Sequence, residues 1–586
     1  MKNRIKQYLL AASMCVGLTA CSDFFEPIPG VQFGLDETFA SKQRTEEYLN
    51  NVYSYVREVT DAIHPNTYGG IFTEASLDGA NRWNKTYAEW TNGSFNSASA
   101  QASEYFSKYY QAIAKASTFI QNVDKCTEAA ASTRGKWKSE ARALRAYYYF
   151  ELLRLYGPIP LIGEDPIPLD ASLEELIKER NSVDECVNFI ATELQSAIDS
   201  GDLLQRAGKA NLGRMDVATC MALKAKLYLY WASPLFNGNT DQASVKNKDG
   251  KQLFPQTEDN SKWAQARDAY ERFMTFATGQ GYKLTEVYTN GKLDPYASCR
   301  AAGEFFTTTW EAVDELIFVK LRDLYDYTYW VCPKFTDFQD TDVTGGGGYY
   351  TTQETVDLFF TKDGLTIEED PGYDKFEGIP GANNFTSGRY YDPNNPSRLY
   401  FDADKSKVLK QWKDREPRFY VNITYSGSIW LNEGKYNEEM RTDFTNGANG
   451  TCGKSKASGD CPDSGYLIRR GAKASNNNGS KHFSPVLRLA DMYLGYAEAL
   501  CMCSDLDNAL TYLNKIRVRA GIPEYTFTAT AGKITCPKTQ TDLLNRIRRE
   551  RLVELVFEWN RYFDVRRWKV AEGQNDPEHW IYPAYH

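Results

Sequence analysis

Two stretches of the chain gather residue types that can grip a flat, hydroxyl-bearing ligand. Residues 74–90, EASLDGANRWNKTYAEW, are polar and turn-like and carry Asp78, Asn81, Arg82 and Trp83. Residues 321–335, LRDLYDYTYWVCPKF, set Tyr325, Tyr327 and Tyr329 at alternate positions, with Asp326 and Trp330 out of phase with them. An aromatic ring offers a flat apolar face, and nearby polar groups exchange hydrogen bonds, which is the combination that holds a sugar ring. Read as a strand, the alternation puts the three phenols on one face and Asp326 and Trp330 on the other. A plainer reading stands beside each: Trp83 and the tyrosines equally suit packing against a helical core, and Trp90, just before the turn Asn92-Gly93, reads as core. Asp78, Asn81, Arg82, Trp83, Tyr327, Tyr329 and Trp330 are the candidate ligand-binding residues. Gly345 to Gly348, followed by Tyr349-Tyr350, read either as a mobile loop beside such a site or as a linker.

The residue patterns of common catalytic sites are missing. NGANGTCGKS approaches a phosphate-binding loop, but the G-x-x-x-x-G-K-[ST] pattern needs glycine where Ala448 stands. No H-E-x-x-H and no G-x-S-x-G occurs. His64, His482, His579 and His586 are scattered and no C-x-x-C pair exists, so no metal site and no cofactor are expected. Carboxylates are plentiful, and a glycosidase pair about 5–10 Å apart is a matter of geometry that counting does not decide. No catalytic residue is assigned.

One cysteine has a different role. Lys2, Arg4 and Lys6 precede an apolar run from Tyr8 to Ala20, too short for the roughly 20 residues of a membrane-spanning helix. A basic start, a short apolar run and small residues before a break describe a secretory signal. Its ending, Leu18-Thr19-Ala20-Cys21, resembles a bacterial lipobox, in which Cys21 carries the lipid anchor and becomes the first mature residue. Residues 1–20 are therefore expected to be a lipoprotein signal peptide, with the body at 21–586. Acyl chains contribute about 0.8 kcal/mol per buried methylene, enough to tether such a body without a spanning segment.

The formal charge is −9 and 42% of the residues are hydrophobic, a globular and acidic composition with no basic stripe for nucleic acid. Cys452 and Cys461 flank a polar loop that a disulfide could close in an oxidising compartment.

The elements that must position the candidates are mostly helical. Ala141, Leu144, Tyr148, Leu152 and Leu155 repeat at three and four, and Gly157-Pro158 then ends the helix. Ala218, Ala222, Ala225, Leu229 and Ala232 form a stripe of small residues that lets helices approach closely. Trp263, Ala266, Tyr270 and Phe273 draw a further stripe, as do Leu506, Ala509, Leu513 and Ile516. From about 277 to 483, Gly, Asn, Pro and short aromatic clusters replace these stripes. The expected architecture is mainly α, with helix pairs at roughly 38–276 and 484–570 and a loop-rich insert with short strands at roughly 277–483. Near the end, Glu550, Glu554, Arg561, Asp564 and Arg566 fall within a few turns, which reads as an ion network locking the last helix rather than as catalytic machinery.

Taken in order, LRLADMYLGYAEAL, ALTYLNKIRVRAGIP and RRERLVELVFEWNRYFDVRRW, at residues 487–568, resemble the C-terminal region of the SusD/RagB family of outer-membrane nutrient-uptake lipoproteins. EARALRAYYYFELLRLYGPIPLI and ALKAKLYLYWASPLFN are similar to its N-terminal helices, and DREPRFYVNITYSGSIW to its central segment. The resemblance implies a tetratricopeptide-like α–α superhelix and a lipid anchor on the outer membrane facing the medium. It also implies a SusC-like TonB-dependent β-barrel partner to which captured oligosaccharide is passed, without enzymatic activity. In that family the loop after the first helix contributes to binding, which favours the region of Asp78 to Trp83. Capture of peptide, as in some branches, and a surface glycosidase are the alternatives.

Overall fold

The computed structural model describes residues 34–57, 71–76, 78–82, 96, 99–163, 171–172, 175, 177–303, 311–322, 325–335, 345–376, 380–430, 441–444, 452, 460–472 and 482–570. The fold is mainly helical. Its scaffold helices are α1 (Lys42–Tyr53), α2 (Ala100–Asn122), α3 (Ala131–Tyr156), α4 (Val183–Asp199), α5 (Val217–Ala232) and α6 (Ser261–Gly279). Three short helices follow: α7 (Pro295–Gly303), α8 (Tyr325–Val331) and α9 (Gln353–Leu358). After α10 (Pro417–Asn422), the chain closes with α11 (Leu489–Met502), α12 (Leu506–Ala520), α13 (Gln540–Glu554) and α14 (Asn560–Arg567).

Consecutive helices pack side by side from α2 through α6, and α11 packs against α6, α12 and α13. The helical stack is therefore continuous across the long segment between Gly279 and Leu489. Local sequence explains much of it. The small-residue stripe of α5 is wholly buried between α4 and α6. Gly157 ends α3 at φ +72°, a conformation glycine adopts without a Cβ clash. Gly495 of α11 lies under the Tyr270 hydroxyl of α6, where a Cβ would collide. Ser182 and Glu185 close a capping box on α4.

Asp216, the cap of α5, carries a pH dependence. Its carboxylate accepts from the Thr219 and Ala207 amides, each at 2.7 Å. Burial nevertheless pushes it up to about 6. An unfolded aspartate titrates near about 3.9. The raised folded value means that the stability this group contributes is full below about pH 4 and is lost as pH rises through 6. Asp216→Asn still caps and is expected to flatten that slope. Melting temperatures of the two proteins from pH 4 to 7 check it, and parallel curves would refute it.

The strands are short. β1 (Ala80–Asn81), β3 (Tyr349–Tyr350), β7 (Tyr466–Ile468) and β6 (Ile423–Tyr425) form one four-stranded sheet in that order, with antiparallel pairs. β2 (Leu316–Arg322) pairs with β8 (His482–Arg488), and β4 (Arg389–Asp392) with β5 (Asn395–Asp402).

A buried ion network joins the C-terminal helices to these strands. Arg488, at the end of β8, donates to Glu315 at 2.8 Å, Glu554 at 2.7 Å and Glu558 at 2.9 Å. Arg519 reaches the same Glu554 and Glu315, and Arg418 pairs with Glu550 at 2.7 Å and Glu416 at 2.6 Å. A second group has Arg551 between Asp491 (2.7 Å) and Asp564 (2.6 Å), with Arg567 on Glu498 at 2.6 Å. Burial alone would raise the Glu554 carboxyl, but the guanidinium groups of Arg519, Arg488 and Arg418 outweigh it and hold Glu554 well below the usual range. Of the residues expected in this network, Arg566 differs: it is half-buried and lies on the Tyr562 ring, 3.6 Å from its centroid.

Candidate functional site

The two aromatic and polar stretches, far apart in sequence, meet at one edge of the four-stranded sheet. β1 pairs with β3, Ala80 opposite Tyr350 and Asn81 opposite Tyr349, and the Arg82 amide donates to the Gly348 carbonyl at 2.9 Å. The glycine run just before β3 binds the end of α8. The amides of Gly346, Gly348 and Gly347 donate to the carbonyls of Tyr329 (2.8 Å), Trp330 (3.1 Å) and Cys332 (2.9 Å). These carbonyls belong to the orphan group that every helix C-terminus leaves. A Cβ at Gly346 would stand 2.7 Å from both the Trp330 and Tyr329 rings. The glycines therefore neither link nor swing: they let the backbone press against α8 and fix its rings.

Residues 325–331 are thus helical, and the strand reading of Tyr325, Tyr327 and Tyr329 is corrected. At about 100° per residue, the three tyrosines do not share a face. Tyr327 is buried at 2% exposure, and its hydroxyl donates to the Arg470 carbonyl at 2.8 Å. It packs in the core and does not line the surface. Tyr329 and Trp330 are half-buried, their rings edge to face at 89° with centroids 5.4 Å apart.

On the other stretch, Asp78 is buried at 0% exposure, and Arg561 of α14 donates to it at 2.9 Å. Burial pushes its carboxyl up, against the pull of Arg561. Asp78 therefore anchors the strand from behind, and Asn81, also buried, stands opposite Tyr349 in the sheet. Arg82 is half-buried at the rim. It forms an ion pair with Asp463 and donates to the Cys461 carbonyl at 3.3 Å. Lys334 and Asp460 make a second rim ion pair, and Asp460 lies beside Gly347. The Tyr350 phenol, half-buried, is pushed up by burial and by Asp463 and Glu74.

The surface assembled here has two rings at right angles, a tyrosine hydroxyl, and two ion pairs whose outer edges face water. Such a set can stack on an apolar face and exchange hydrogen bonds with hydroxyls around it. Sequence reading had not placed Asp460 or Asp463 here, because only the folded sheet edge brings them to the glycine run. Trp83, Trp90 and Cys21 lie outside the described residues, as does the loop between Cys452 and Cys461. Among the described residues no group of three or more His, Cys, Asp or Glu is arranged to hold a metal ion, and no helix is long and apolar enough to cross a membrane.

Two family models match the chain, one described as the SusD family over residues 315–579 and one as starch-binding, associating with the outer membrane, over 32–229. A SusD-like protein of Bacteroides ovatus is 27% identical over 175 residues, 29% of this chain and 30% of that protein. The match thus spans less than a third of the curated relative's length. The solved structure of BT4246 has a TM-score of 0.70 at 25% identity, covering 91% of this chain and 90% of that one. A SusD-like carbohydrate binding protein from Bacteroides fragilis shares the fold, with a TM-score of 0.62 at 19% identity over 91% of this chain and 87% of its own. The two family models match both ends of the helical stack and the sheet between them, and the chain is similar to the SusD/RagB family in sequence and shares the fold of BT4246.

Proposed function

We propose that this protein captures oligosaccharide or polysaccharide at the cell surface and delivers it to a SusC-like TonB-dependent transporter in the outer membrane. In this reading it is held there by a lipid on Cys21, faces the medium, and acts by binding rather than by catalysis, as members of the SusD family do. The observation that carries it is the pairing of the Tyr329 and Trp330 rings beside the Arg82–Asp463 ion pair at one sheet edge. The two rim carboxylates, Asp460 and Asp463, already have cationic partners, so a basic peptide gains less from them than a hydroxyl-rich ligand gains from the whole surface.

The test uses the protein from Ser22 onward in native gels containing different polysaccharides, with the same mixtures assayed for shortened products. Retardation by one glycan without product release is the expected result. Product release would establish a glycosidase, and no retardation by any glycan would favour peptide capture. Anchoring is checked separately: Cys21→Ser is expected to move the protein from the membrane fraction to the soluble one, and a variant that stays with the membrane refutes the lipid tether. Co-purification of a large β-barrel with the anchored protein tests the transporter partner.

A further inference from the structure

A second opening lies at the far end of α9 from the sheet edge. It is a cleft of about 300 Å³, walled by residues of the turn at 361–363, the segment 370–374, Thr386 and the segment 410–414. That volume is at the lower end of the range of small-ligand sites. The cleft is fixed to the sheet that carries Tyr350. Trp412, next to Lys413 of the cleft wall, donates its indole N–H to the Tyr466 hydroxyl of β7 at 3.0 Å. That hydroxyl in turn donates to Gln353 of α9 at 2.7 Å.

Its charges nearly cancel. The described lining residues include three lysines and four aspartates. Lys362 pairs with Asp363 at 2.8 Å, and Lys410 with Asp374 at 3.4 Å. All four side chains are exposed, and each pair keeps donors and acceptors to spare, since an ammonium has three N–H bonds and a carboxylate about four lone-pair sites. A phosphate or a cation gains from such a wall only by breaking the pairs. A neutral hydroxyl both donates and accepts, so it joins them at their edges. The aromatic part is Tyr373, half-buried, whose hydroxyl accepts from Arg415 at 3.0 Å and donates to the Gln411 carbonyl at 3.3 Å. Held in this way, the ring loses little freedom when an apolar face lies on it. Asp414 stands at φ +56°, a conformation that costs energy outside glycine and recurs at ligand clamps. The Lys362 amide donates to its carbonyl at 2.8 Å, and the Tyr390 hydroxyl donates to its carboxylate at 3.0 Å. Thr361, in the same wall, is 2% exposed, and its hydroxyl has no hydrogen-bond partner among the described residues. A buried hydroxyl left unpaired lowers stability, and a ligand hydroxyl, or a water that comes with it, relieves the deficit.

We propose that this cleft is a second carbohydrate subsite, taking neutral sugar units against Tyr373 with their hydroxyls between Lys413 and Asp414. Among the described residues Lys413 has no carboxylate at ion-pair distance; its ammonium stands 5.6 Å from the centroid of the Tyr390 ring. The use of the cleft is a second grip, because a polymer held at two points on one protein binds more tightly than at either alone. The ligand class rests on the glycan reading, whereas the cleft does not require the sheet edge to be the glycan site.

The experiment titrates the whole mature protein calorimetrically with four neutral hexasaccharides: malto-, cello-, xylo- and mannohexaose. In Trp330→Ala, which strips the sheet edge of its larger ring, binding of at least one of them is expected to persist. Adding Lys413→Ala should weaken that remaining binding about tenfold, and adding Tyr373→Ala should do the same. Remaining binding that neither change weakens, or none left in Trp330→Ala, overturns the proposal. If Trp330→Ala keeps the wild-type affinity while Lys413→Ala alone loses it, the cleft stands and the sheet-edge reading fails. No binding of any hexasaccharide to the wild type overturns both. Lys413 is exposed, so its variant tests the cleft even where Tyr373→Ala, which takes an acceptor from Arg415, fails to fold. Wild-type crystals soaked in the tightest-binding hexasaccharide give a second measurement. Sugar density against Tyr373 supports the subsite, and density confined to the sheet edge refutes it.

Discussion

Arg488→Met is expected to destabilise the protein by about 3–5 kcal/mol, the usual cost of removing one partner from a buried ion network. The reason is the number of carboxylates left behind. Arg488 is 1% exposed and holds Glu315, Glu554 and Glu558 together, and it also donates to the Glu554 carbonyl at 2.7 Å. Methionine fills much of the volume and supplies none of the charge. For a cooperative unit of more than 500 residues, that loss is a fall in Tm of about 3–4 °C. Arg566→Met is the control: its guanidinium is half-buried on an aromatic face and carries no network, so about 1 kcal/mol or less is expected. Equal effects in calorimetry would show that the buried network is not what holds the last helices.

The same variant changes the acid limb of stability. In the wild type the Glu554 carboxyl is held low, against its burial, by the guanidinium groups of Arg519, Arg488, Arg418 and Arg470. Its stabilising contribution is therefore full above the unfolded glutamate value, near about 4.3, and is lost only as pH falls well below it. With Arg488 gone, Glu554 takes up its proton at higher pH, and the variant should lose least against the wild type in acid.

The helical scaffold was legible because its signal is local. The stripes at Ala141 to Leu155 and Ala218 to Ala232 repeat with the helical period, and Gly157 marks the end of the first. The acidic and basic density of the last helices likewise announced a network, although its partners Glu315 and Arg418 come from elsewhere. The site was half legible. Residue types drew attention to residues 78–82 and 325–330, yet their roles depend on contacts that no short window contains. Asp78 turns inward because Arg561 waits 483 positions later. The alternation of Tyr325, Tyr327 and Tyr329 mimicked a strand because bulky aromatics suit both states. The helix there is completed by amides of Gly346 to Gly348, which belong to the next strand's approach. A glycine run read alone suggests looseness; against a helix end it means close packing.

The second large effect concerns Trp330. Its ring is half-buried, set at a right angle to Tyr329, and held by the glycine backbone. Such a ring pays little ordering entropy when a ligand stacks on it, since its rotamer is already fixed by packing. Trp330→Ala should remove about 2 kcal/mol of binding, roughly a 30-fold loss of affinity for the retarding glycan. Arg82→Ala should cost a similar amount through hydrogen bonding by a charged donor, and it also frees Asp463 to repel acidic ligands. Tyr327→Phe separates a binding role from a packing one. Its hydroxyl meets the Arg470 carbonyl inside the protein, so the variant should lose about 1 kcal/mol of stability and keep its affinity within about twofold. Affinity gels or calorimetric titration with one glycan read all three. If Tyr327→Phe abolished binding while Trp330→Ala left it intact, the ligand would lie on the inner face of the helix, and the sheet edge described here would not be the site.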